Sequence, residues 1–247
     1  MKQIDLNADI GEGAAYDIEL LEIISSASIA CGAHAGDEGL IRKTLRAAKA
    51  KNVTCGAHPG FADKENFGRL ALDLPISMVQ KQVADQLALI QKIANEENIP
   101  LAYVKLHGAL ANMAAKDLSL AMPVFETIKK HDANLSILAL DNSTQVIAAK
   151  QLGLNIILEA YADRKYENNG LLVSRQKEGA IITNDNEAVA QCLRLAQKNE
   201  IITIDGSIIY SSAKSICLHG DNKNAISLAK NIAKALINAG INIHSAL

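Results

Sequence analysis

The amino-acid sequence predicts an α/β protein with a parallel sheet, and three observations carry this prediction. Short apolar runs alternate with longer amphipathic stretches about seven times along the chain. The runs lack strict alternation of apolar and polar residues, which is typical of parallel strands that are buried on both faces. No Pro-, Gly- or Ser-rich linker interrupts the pattern, so we interpret residues 1–247 as a single domain.

The strand candidates are short and are separated by stretches of helix length. Repeated strand-helix units imply parallel strands joined by right-handed crossovers. Seven such units without a Gly-rich dinucleotide turn favour a seven-stranded parallel β/α barrel over an open doubly wound sheet. The predicted strands are Gln3 to Asn7, Ser28 to Cys31, Val53 to Gly56, Leu101 to Lys105, Leu135 to Leu140, Asn155 to Glu159 and Ser215 to His219.

The helix candidates fall between these strands, and most of them open on Asp, Ser or Asn, which are favoured N-cap residues. One further segment, Ile201 to Tyr210, has Asp205-Gly206 at its centre, which is a two-residue hairpin signal. The predicted helices are Asp37 to Ala50, Ser77 to Asn98, Asp117 to Lys130, Ser143 to Leu152, Asn186 to Lys198 and Asn222 to Ala239.

The composition excludes several classes of protein. Apolar residues make up 49% and charged residues 21%, which is ordinary for a soluble globular protein. The core must be aliphatic, because Trp is absent and aromatic residues make up only 3%. A net charge of -2 argues against a nucleic-acid or anionic-membrane surface. Four scattered cysteines and an N-terminus without a signal-peptide pattern predict reduced thiols in the cytoplasm.

Histidines mark the predicted site. Of six histidines, four follow strand candidates and precede a glycine within two residues, whereas His131 and His244 share neither feature. In a parallel barrel the carboxyl ends of all strands meet on one rim, where active sites form. A short internal repeat, in which Ile29 to Gly36 resembles Val53 to Gly60, suggests that two of these strands end in the same way. The four histidines are His34, His58, His107 and His219.

Other polar residues follow the same strands. A period of two places Asn7 and Asp9 on one face of the first strand, pointing inward. A lone histidine at a strand end is more often structural than catalytic, and Asp37, Asp141 and Asp221 also suit helix N-caps. Charge at six or seven strand ends is nevertheless costly unless it is paired or used. The remaining residues of this set are Glu12, Arg69, Lys105, Asn112, Asp163 and Arg164.

The motifs for common chemistries are weak or absent. Two Cys-x-x-His pairs suggest zinc, but Cys31 and Cys55 precede glycines within strands, where cysteine packs as a small apolar residue. An Asp9, His34 and His107 triad suits a metal better, although no metal is assigned. The chain has neither a P-loop nor a Gly-x-Ser-x-Gly elbow.

Seven stretches together resemble the LamB/YcsF family, which is that of the 5-oxoprolinase A subunit. They occur in the family's order and span nearly the whole chain. The stretches are Asp5 to Gly13, Ile29 to Asp37, Gly56 to Phe61 with Phe67 to Arg69, Val104 to Leu110, Ala162 to Tyr166, Gly179 to Thr183 and Ile216 to Asp221.

The resemblance implies a distorted TIM-like barrel, similar to that of polysaccharide deacetylases. It also implies an activity: with partner subunits B and C, the family opens the ring of 5-oxo-L-proline to L-glutamate, coupled to ATP hydrolysis. ATP would be a co-substrate, with Mg²⁺, and no tightly bound cofactor is expected. Two other functions stay open, a metal-dependent deacetylase or amidohydrolase acting alone and a non-catalytic subunit that binds a small molecule.

The set of candidate residues divides by expected role. Asp9, supported by His34 or His107, suits a general base, while Arg69, Lys105 or Arg164 suits the substrate carboxylate or a phosphoryl group. The catalytic candidates are Asp9, His34, Lys105 and His107. The substrate-binding candidates are Asn7, Glu12, Asp37, His58, Arg69, Asn112, Asp163, Arg164, His219 and Asp221.

Overall fold

The computed structural model describes residues 2–218 and 225–247 and contains a closed parallel barrel. Seven described strands form it, each paired with the next one along the chain, and pairing of the last strand with the first closes the ring. The predicted seven-stranded β/α barrel is therefore confirmed. The strands are β1 (Lys2–Ile10), β2 (Ser26–Ala30), β3 (Thr54–His58), β4 (Leu101–Val104), β5 (Ser136–Leu140), β6 (Ile156–Tyr161) and β9 (Ser215–Leu218).

The predicted helices lie between these strands, and two of them begin after the predicted capping residue. The helix predicted from Asn186 is capped by Asn184 instead, and Ser143 makes no capping hydrogen bond. Asp37 and Asp117 each accept a hydrogen bond from a backbone N–H of the helix that they precede. The predicted helix from Asn222 begins outside the described residues. The long helices are α2 (Glu38–Ala50), α3 (Ile76–Glu96), α5 (Leu118–His131), α6 (Thr144–Gln151), α7 (Asp185–Lys198) and α8 (Ala225–Asn238).

Three short elements were not predicted, because each has too few residues to show a period. They are α1 (Asp17–Leu20), α4 (Gly108–Ala114) and β10 (Ile241–Ile243), which pairs with the start of β1. The predicted hairpin is present as β7 (Glu200–Ile202) and β8 (Ile208–Tyr210). Its predicted two-residue turn is wrong, because the last strand pair, Ile202 with Ile208, encloses residues 203–207.

The apolar core lies between the barrel and its helices. It is mainly aliphatic, as the composition predicts, with Phe61 and Phe125 among the few buried aromatic residues. All four cysteines are buried and free. Burial raises the pKa of both Cys31 and Cys55 to about 12, as expected for thiols that pack in a core.

The inside of the barrel, in contrast, is rich in polar groups. Near the amino ends of the strands, Asp5 accepts hydrogen bonds from Ser25, Ser26 and Ser215. Such buried groups are stable only when they are hydrogen-bonded. Above them, the ring of Tyr103 fills the space where a Cβ on Gly56 would lie, only 2.3 Å from a ring carbon. Hydrogen-bonded polar groups therefore fill the barrel below the rim formed by the carboxyl ends of its strands.

The two similar segments of the internal repeat, residues 29–36 and 53–60, do not occupy equivalent positions in the barrel. Ala27, and not Cys31, lies opposite Cys55, and Ala30 lies opposite His58 at the ends of β2 and β3. His34 follows β2 in a loop instead of ending the strand. The loop nevertheless brings the two histidine rings together, with centroids 5.7 Å apart.

Candidate active site

A cavity of about 860 Å³ opens at the carboxyl ends of the barrel strands. Its floor is polar and ionisable, and four side chains from β1, β3 and the loops after β1 and β4 form this part: Asp9, Glu12, His58 and His107. Its outer walls come from Phe67 and Arg69, from α4 and from residues 171–176. The predicted convergence of strand-end residues on one rim agrees with this arrangement.

Lys105 lies behind the floor, only 2% exposed, between two carboxylates. Its Nζ lies 2.9 Å from Oδ1 of Asp9 and 2.8 Å from Oε1 of Glu159, and it also donates to the side-chain oxygen of Asn7 at 3.1 Å. Burial lowers the pKa of Lys105, but the charges of Asp9 and Glu159 outweigh this effect and raise it well above the ordinary value. The lysine is therefore a permanent buried cation that fixes Asp9.

His58 and His107 share a single proton. Nδ1 of His58 lies 2.9 Å from the carbonyl of Lys105, and Nε2 of His107 lies 2.9 Å from the carbonyl of Phe67. Because carbonyls only accept, both of these nitrogens carry hydrogen. The remaining nitrogens, Nε2 of His58 and Nδ1 of His107, lie 2.9 Å apart, so their contact needs one proton. The pair therefore carries one positive charge.

The charge resides on His58. Burial lowers the pKa of His58, but the charge and hydrogen bond of Asp9, 3.3 Å away, give a net increase. In contrast, burial and the charge of His58 lower the pKa of His107 to about 3. The floor thus presents a protonated imidazole beside the carboxylate of Asp9, flanked by a neutral imidazole.

Glu12 and His34 complete the floor. Oε1 of Glu12 lies 3.3 Å from Nε2 of His34 and 3.3 Å from Nδ1 of His107. Burial raises the pKa of Glu12, and burial together with the charge of His58 lowers that of His34 to about 3. The loop that carries Glu12 is held by Asp17, whose carboxylate accepts from the backbone N–H groups of Gly11 and Glu12.

The neutral rings of His34 and His107 are stacked in parallel. Their centroids lie 3.7 Å apart with an interplanar angle of 6°. Gly68 makes room for them, because a Cβ there would lie 2.9 Å from Cβ of His34 and 3.0 Å from Cδ2 of His107. Gly68 also has a φ of +60°, which other residues rarely adopt.

Among the described residues, Glu12, His34 and His107 form a group with the composition of a metal site, their donor atoms lying within 4.8 Å of one another. An imidazole binds a metal through a lone pair in the ring plane, at about 2.0–2.1 Å. Two parallel rings 3.7 Å apart cannot both direct such a lone pair at one ion. The arrangement therefore suits proton exchange, and a metal would require rotation of one ring. The prediction of no metal stays a prediction.

Several sequence-predicted residues lie where they were expected. Asn7 and Asp9 share the inner face of β1, since both contact Lys105. Arg69, Asn112 and Arg164 line the cavity.

Other predicted residues lie elsewhere. Lys105 and His34 do not line the cavity, but each contacts a residue that does, Asp9 and Glu12 respectively. The histidine in contact with Asp9 is His58, and not His34 or His107, which contact Glu12. Asp37 is exposed and caps α2, so the structure does not bring it to the site. Asp163 is buried beside Arg164 but does not line the cavity. His219 and Asp221 lie outside the described residues.

Sequence reasoning missed three residues of the site. Glu159 lies at the end of a predicted strand, and a lone charge in a strand buried on both faces was the signal of a buried ion pair. Asp17 gave no signal, because it holds a loop by backbone contacts. Arg175 lines the cavity from a segment that has no regular period.

The low pKa of His34 makes stability depend on acidity. The folded chain keeps His34 neutral down to a pKa of about 3, whereas the unfolded chain takes up a proton near the ordinary pKa of 6.5. Protons taken up by the unfolded chain favour unfolding, so the free energy of unfolding is unaffected by His34 above pH 6.5 and decreases as the pH falls towards 3. In His34→Gln, we expect the free energy of unfolding to fall less on acidification, by up to about 1.4 kcal/mol per pH unit.

Urea unfolding at several pH values below neutrality measures this difference. His131→Gln is the matched control, since His131 ends α5 and does not line the cavity, and it should keep the slope of the wild type. An equal slope in His34→Gln and the wild type would show that His34 titrates normally in the folded chain.

Comparison with known proteins agrees with this architecture. The LamB/YcsF family profile matches residues 4–247. The chain belongs to the LamB/YcsF family. A relative in Histophilus somni, named as the A subunit of 5-oxoprolinase, is 43% identical over 247 residues and covers 100% of both chains. A second protein of that name, from Neisseria meningitidis serogroup A, is 41% identical over 98% of this chain and 99% of its own.

Solved structures place the LamB/YcsF barrel among known folds. The crystal structure of a lactam utilization protein from Thermus thermophilus superposes with a TM-score of 0.91 at 34% identity, covering 98% of this chain and 99% of that one. A family 4 carbohydrate esterase from Streptomyces lividans, at 11% identity and a TM-score of 0.54, covers 100% of this chain and 93% of its own and shares the fold alone. No described helix of this LamB/YcsF chain is long and apolar enough to span a bilayer.

Proposed function

We propose that this chain is the A subunit of a 5-oxoprolinase. With subunits B and C it opens 5-oxo-L-proline to L-glutamate in the cytoplasm, and ATP with Mg²⁺ is consumed as a co-substrate. The full-length similarity to proteins named as 5-oxoprolinase A subunits supports this reaction class. The observation that carries the chemistry is Asp9, which lines the cavity between the cations of Lys105 and His58.

Opening a lactam needs three functions in one place. Water must lose a proton as it attacks the carbonyl carbon, the ring nitrogen must gain a proton as it leaves, and the developing negative charge on oxygen must be stabilised. A five-membered lactam is a poor electrophile, so consumption of ATP, through phosphorylation of the amide oxygen, makes the carbon reactive. The site is thus required to accept an anionic substrate next to an acid and a base.

The floor of the cavity offers the acid and the base. Asp9 is the base for water, because its carboxylate lines the cavity and is fixed from behind by Lys105. The proton that His58 and His107 share is the one delivered to the leaving nitrogen. Arg69 and Arg164, on the walls, anchor the substrate carboxylate or a phosphoryl group.

Reconstitution tests this proposal. The purified chain is mixed with candidate B and C subunits, 5-oxoproline, ATP and Mg²⁺, and glutamate is quantified. Glutamate formed only when this chain is present would support the proposal. Full activity of B and C without it would contradict it, and ring opening by this chain alone, without ATP, would favour an amidohydrolase.

A further inference from the structure

The backbone at Phe67 has an unusual conformation for an aromatic residue. Its φ is +55°, in the left-handed region, which is unfavourable for bulky side chains. Glycine adopts this region without strain, as the neighbouring Gly68 does with a φ of +60°. A non-glycine residue persists there only where surrounding contacts offset the cost, and such residues cluster at functional sites. The contacts of Phe67 therefore indicate what its side chain does.

Phe67 contacts the two stacked imidazole rings at the floor of the cavity. Its carbonyl accepts a hydrogen bond from Nε2 of His107 at 2.9 Å. Its ring meets that of His34 at 80° and that of His107 at 74°, with centroids 5.9 and 5.6 Å apart. Aromatic rings favour this near-perpendicular geometry. The ring of Phe67 is thus held against the acid-base floor from which the leaving nitrogen is proposed to receive its proton.

The same ring contacts the guanidinium group of Arg69. Cζ of Arg69 lies over the ring of Phe67, 5.0 Å from its centroid, which is within the range of a cation–π contact. The side chain of Arg69 is exposed, and a long exposed side chain loses rotamer freedom when a ligand orders it. Contact with a fixed ring restricts this freedom before the ligand arrives.

The charge of Arg69 acts at the floor of the cavity. Burial raises the pKa of Glu12 and lowers that of His34, and the positive charge of Arg69 acts to lower both pKa values. Phe67, Arg69 and Glu12 also line one cavity. A ligand on the floor therefore lies within the field of a guanidinium group, which binds a carboxylate through two parallel hydrogen bonds.

We propose that Phe67 is a positioning residue, whose ring holds the guanidinium of Arg69 in place to bind the carboxylate of the lactam beside the acid-base floor. This inference rests on the proposed function and deepens it, because it commits Arg69 to the carboxylate. It also makes Phe67 a determinant of specificity for a lactam that carries an acidic group over the plain ring.

Ligand binding to the purified full-length chain, measured by calorimetry, tests the proposal. The probes are 5-oxoproline and 2-pyrrolidinone, which is the same ring without its carboxylate. Phe67→Leu keeps an apolar side chain on the left-handed backbone but removes the ring face. We expect its affinity for 5-oxoproline to fall roughly twofold to tenfold, the cost of ordering one long side chain, with 2-pyrrolidinone unchanged. Equal binding of both probes by the wild type, or of neither, would overturn the proposal.

A double-mutant cycle shows whether Phe67 acts through Arg69. Arg69→Gln removes the guanidinium and should weaken binding of 5-oxoproline by itself. Adding Phe67→Leu to Arg69→Gln should then cause no further loss, because the group that the ring positions is gone. The same factor of loss in both backgrounds would show that Phe67 acts independently of Arg69, and this result overturns the proposal.

Two further variants separate positioning from folding. Phe67→Tyr keeps the ring face and should restore the affinity that Phe67→Leu loses. Phe125→Leu is the matched control, since Phe125 is buried in α5 and does not line the cavity. It should make unfolding easier but leave the preference for 5-oxoproline over 2-pyrrolidinone unchanged. An equal loss of preference in Phe125→Leu would assign the effect to stability and overturn the positioning role.

Steady-state kinetics of the reconstituted complex distinguish this inference from the proposed function. In Phe67→Leu the KM for 5-oxoproline should rise by the same factor as the calorimetric loss. Glutamate formation with an unchanged KM would overturn the positioning role and leave the proposed function standing. A wild-type complex that forms no glutamate, while Phe67→Leu still weakens 5-oxoproline alone, would instead overturn the proposed function and leave the positioning role standing.

Discussion

Replacing Lys105 with methionine is expected to lower the free energy of unfolding by about 3–5 kcal/mol, because it leaves the buried carboxylate of Glu159 without its cation and leaves Asp9 with His58 alone. Asp9 and Glu159 both contact Nζ, at 2.9 and 2.8 Å, and Glu159 is only 1% exposed. Methionine has a similar length, so the loss reports on charge rather than on a cavity. Urea unfolding followed by circular dichroism measures it.

A double-mutant cycle isolates the ion pair. Glu159→Gln alone leaves Lys105 with Asp9, whereas Lys105→Met combined with Glu159→Gln removes a cation and an anion together. We expect the double variant to lose less free energy of unfolding than the two single variants lose in sum, by about 0.5–3 kcal/mol. Additive losses would show that the two side chains do not interact.

An exposed lysine provides the control. Lys81 is paired with Asp85 one turn away, and its side chain is 74% exposed. Lys81→Met should change the free energy of unfolding by less than about 1 kcal/mol. A comparable loss in both lysine variants would contradict a special role for burial of Lys105.

The fold could be predicted because its signals are local. The barrel strands are short apolar runs, and helices such as α2, α5 and α7 have both a capping residue and an apolar face. These features fix the β/α alternation without knowledge of the tertiary structure. The rim could be predicted for the same reason, since parallel strands end together. Asn7 and Asp9 share an inner face as period two requires.

The pairing within the site could not be predicted from the sequence. His34 reaches the floor through a loop after β2, so its stacking on His107 depends on loop geometry and not on strand spacing. The partner of Asp9 is His58 because β1 and β3 both lie next to β2 and direct these side chains inward. Arg175 lines the cavity from residues 171–176, which have no regular period, so its position leaves no pattern in the sequence.

Asp9→Asn is expected to have the largest effect on activity. Asparagine has nearly the same shape and can still accept from Lys105, but it cannot take a proton from water. It also lacks the charge that keeps His58 protonated 3.3 Å away. Loss of a general base costs about 100- to 10,000-fold in rate. Asp37→Asn is the matched control, because Asp37 is exposed and caps α2, and asparagine caps helices equally well.

The measurement that tests the central claim most directly is the rate of glutamate formation by the reconstituted complex containing Asp9→Asn. With the barrel intact by circular dichroism, the rate should fall at least about 100-fold, while the Asp37→Asn complex should keep the wild-type rate. A rate close to that of the wild type in the Asp9→Asn complex would contradict ring opening at this cavity floor.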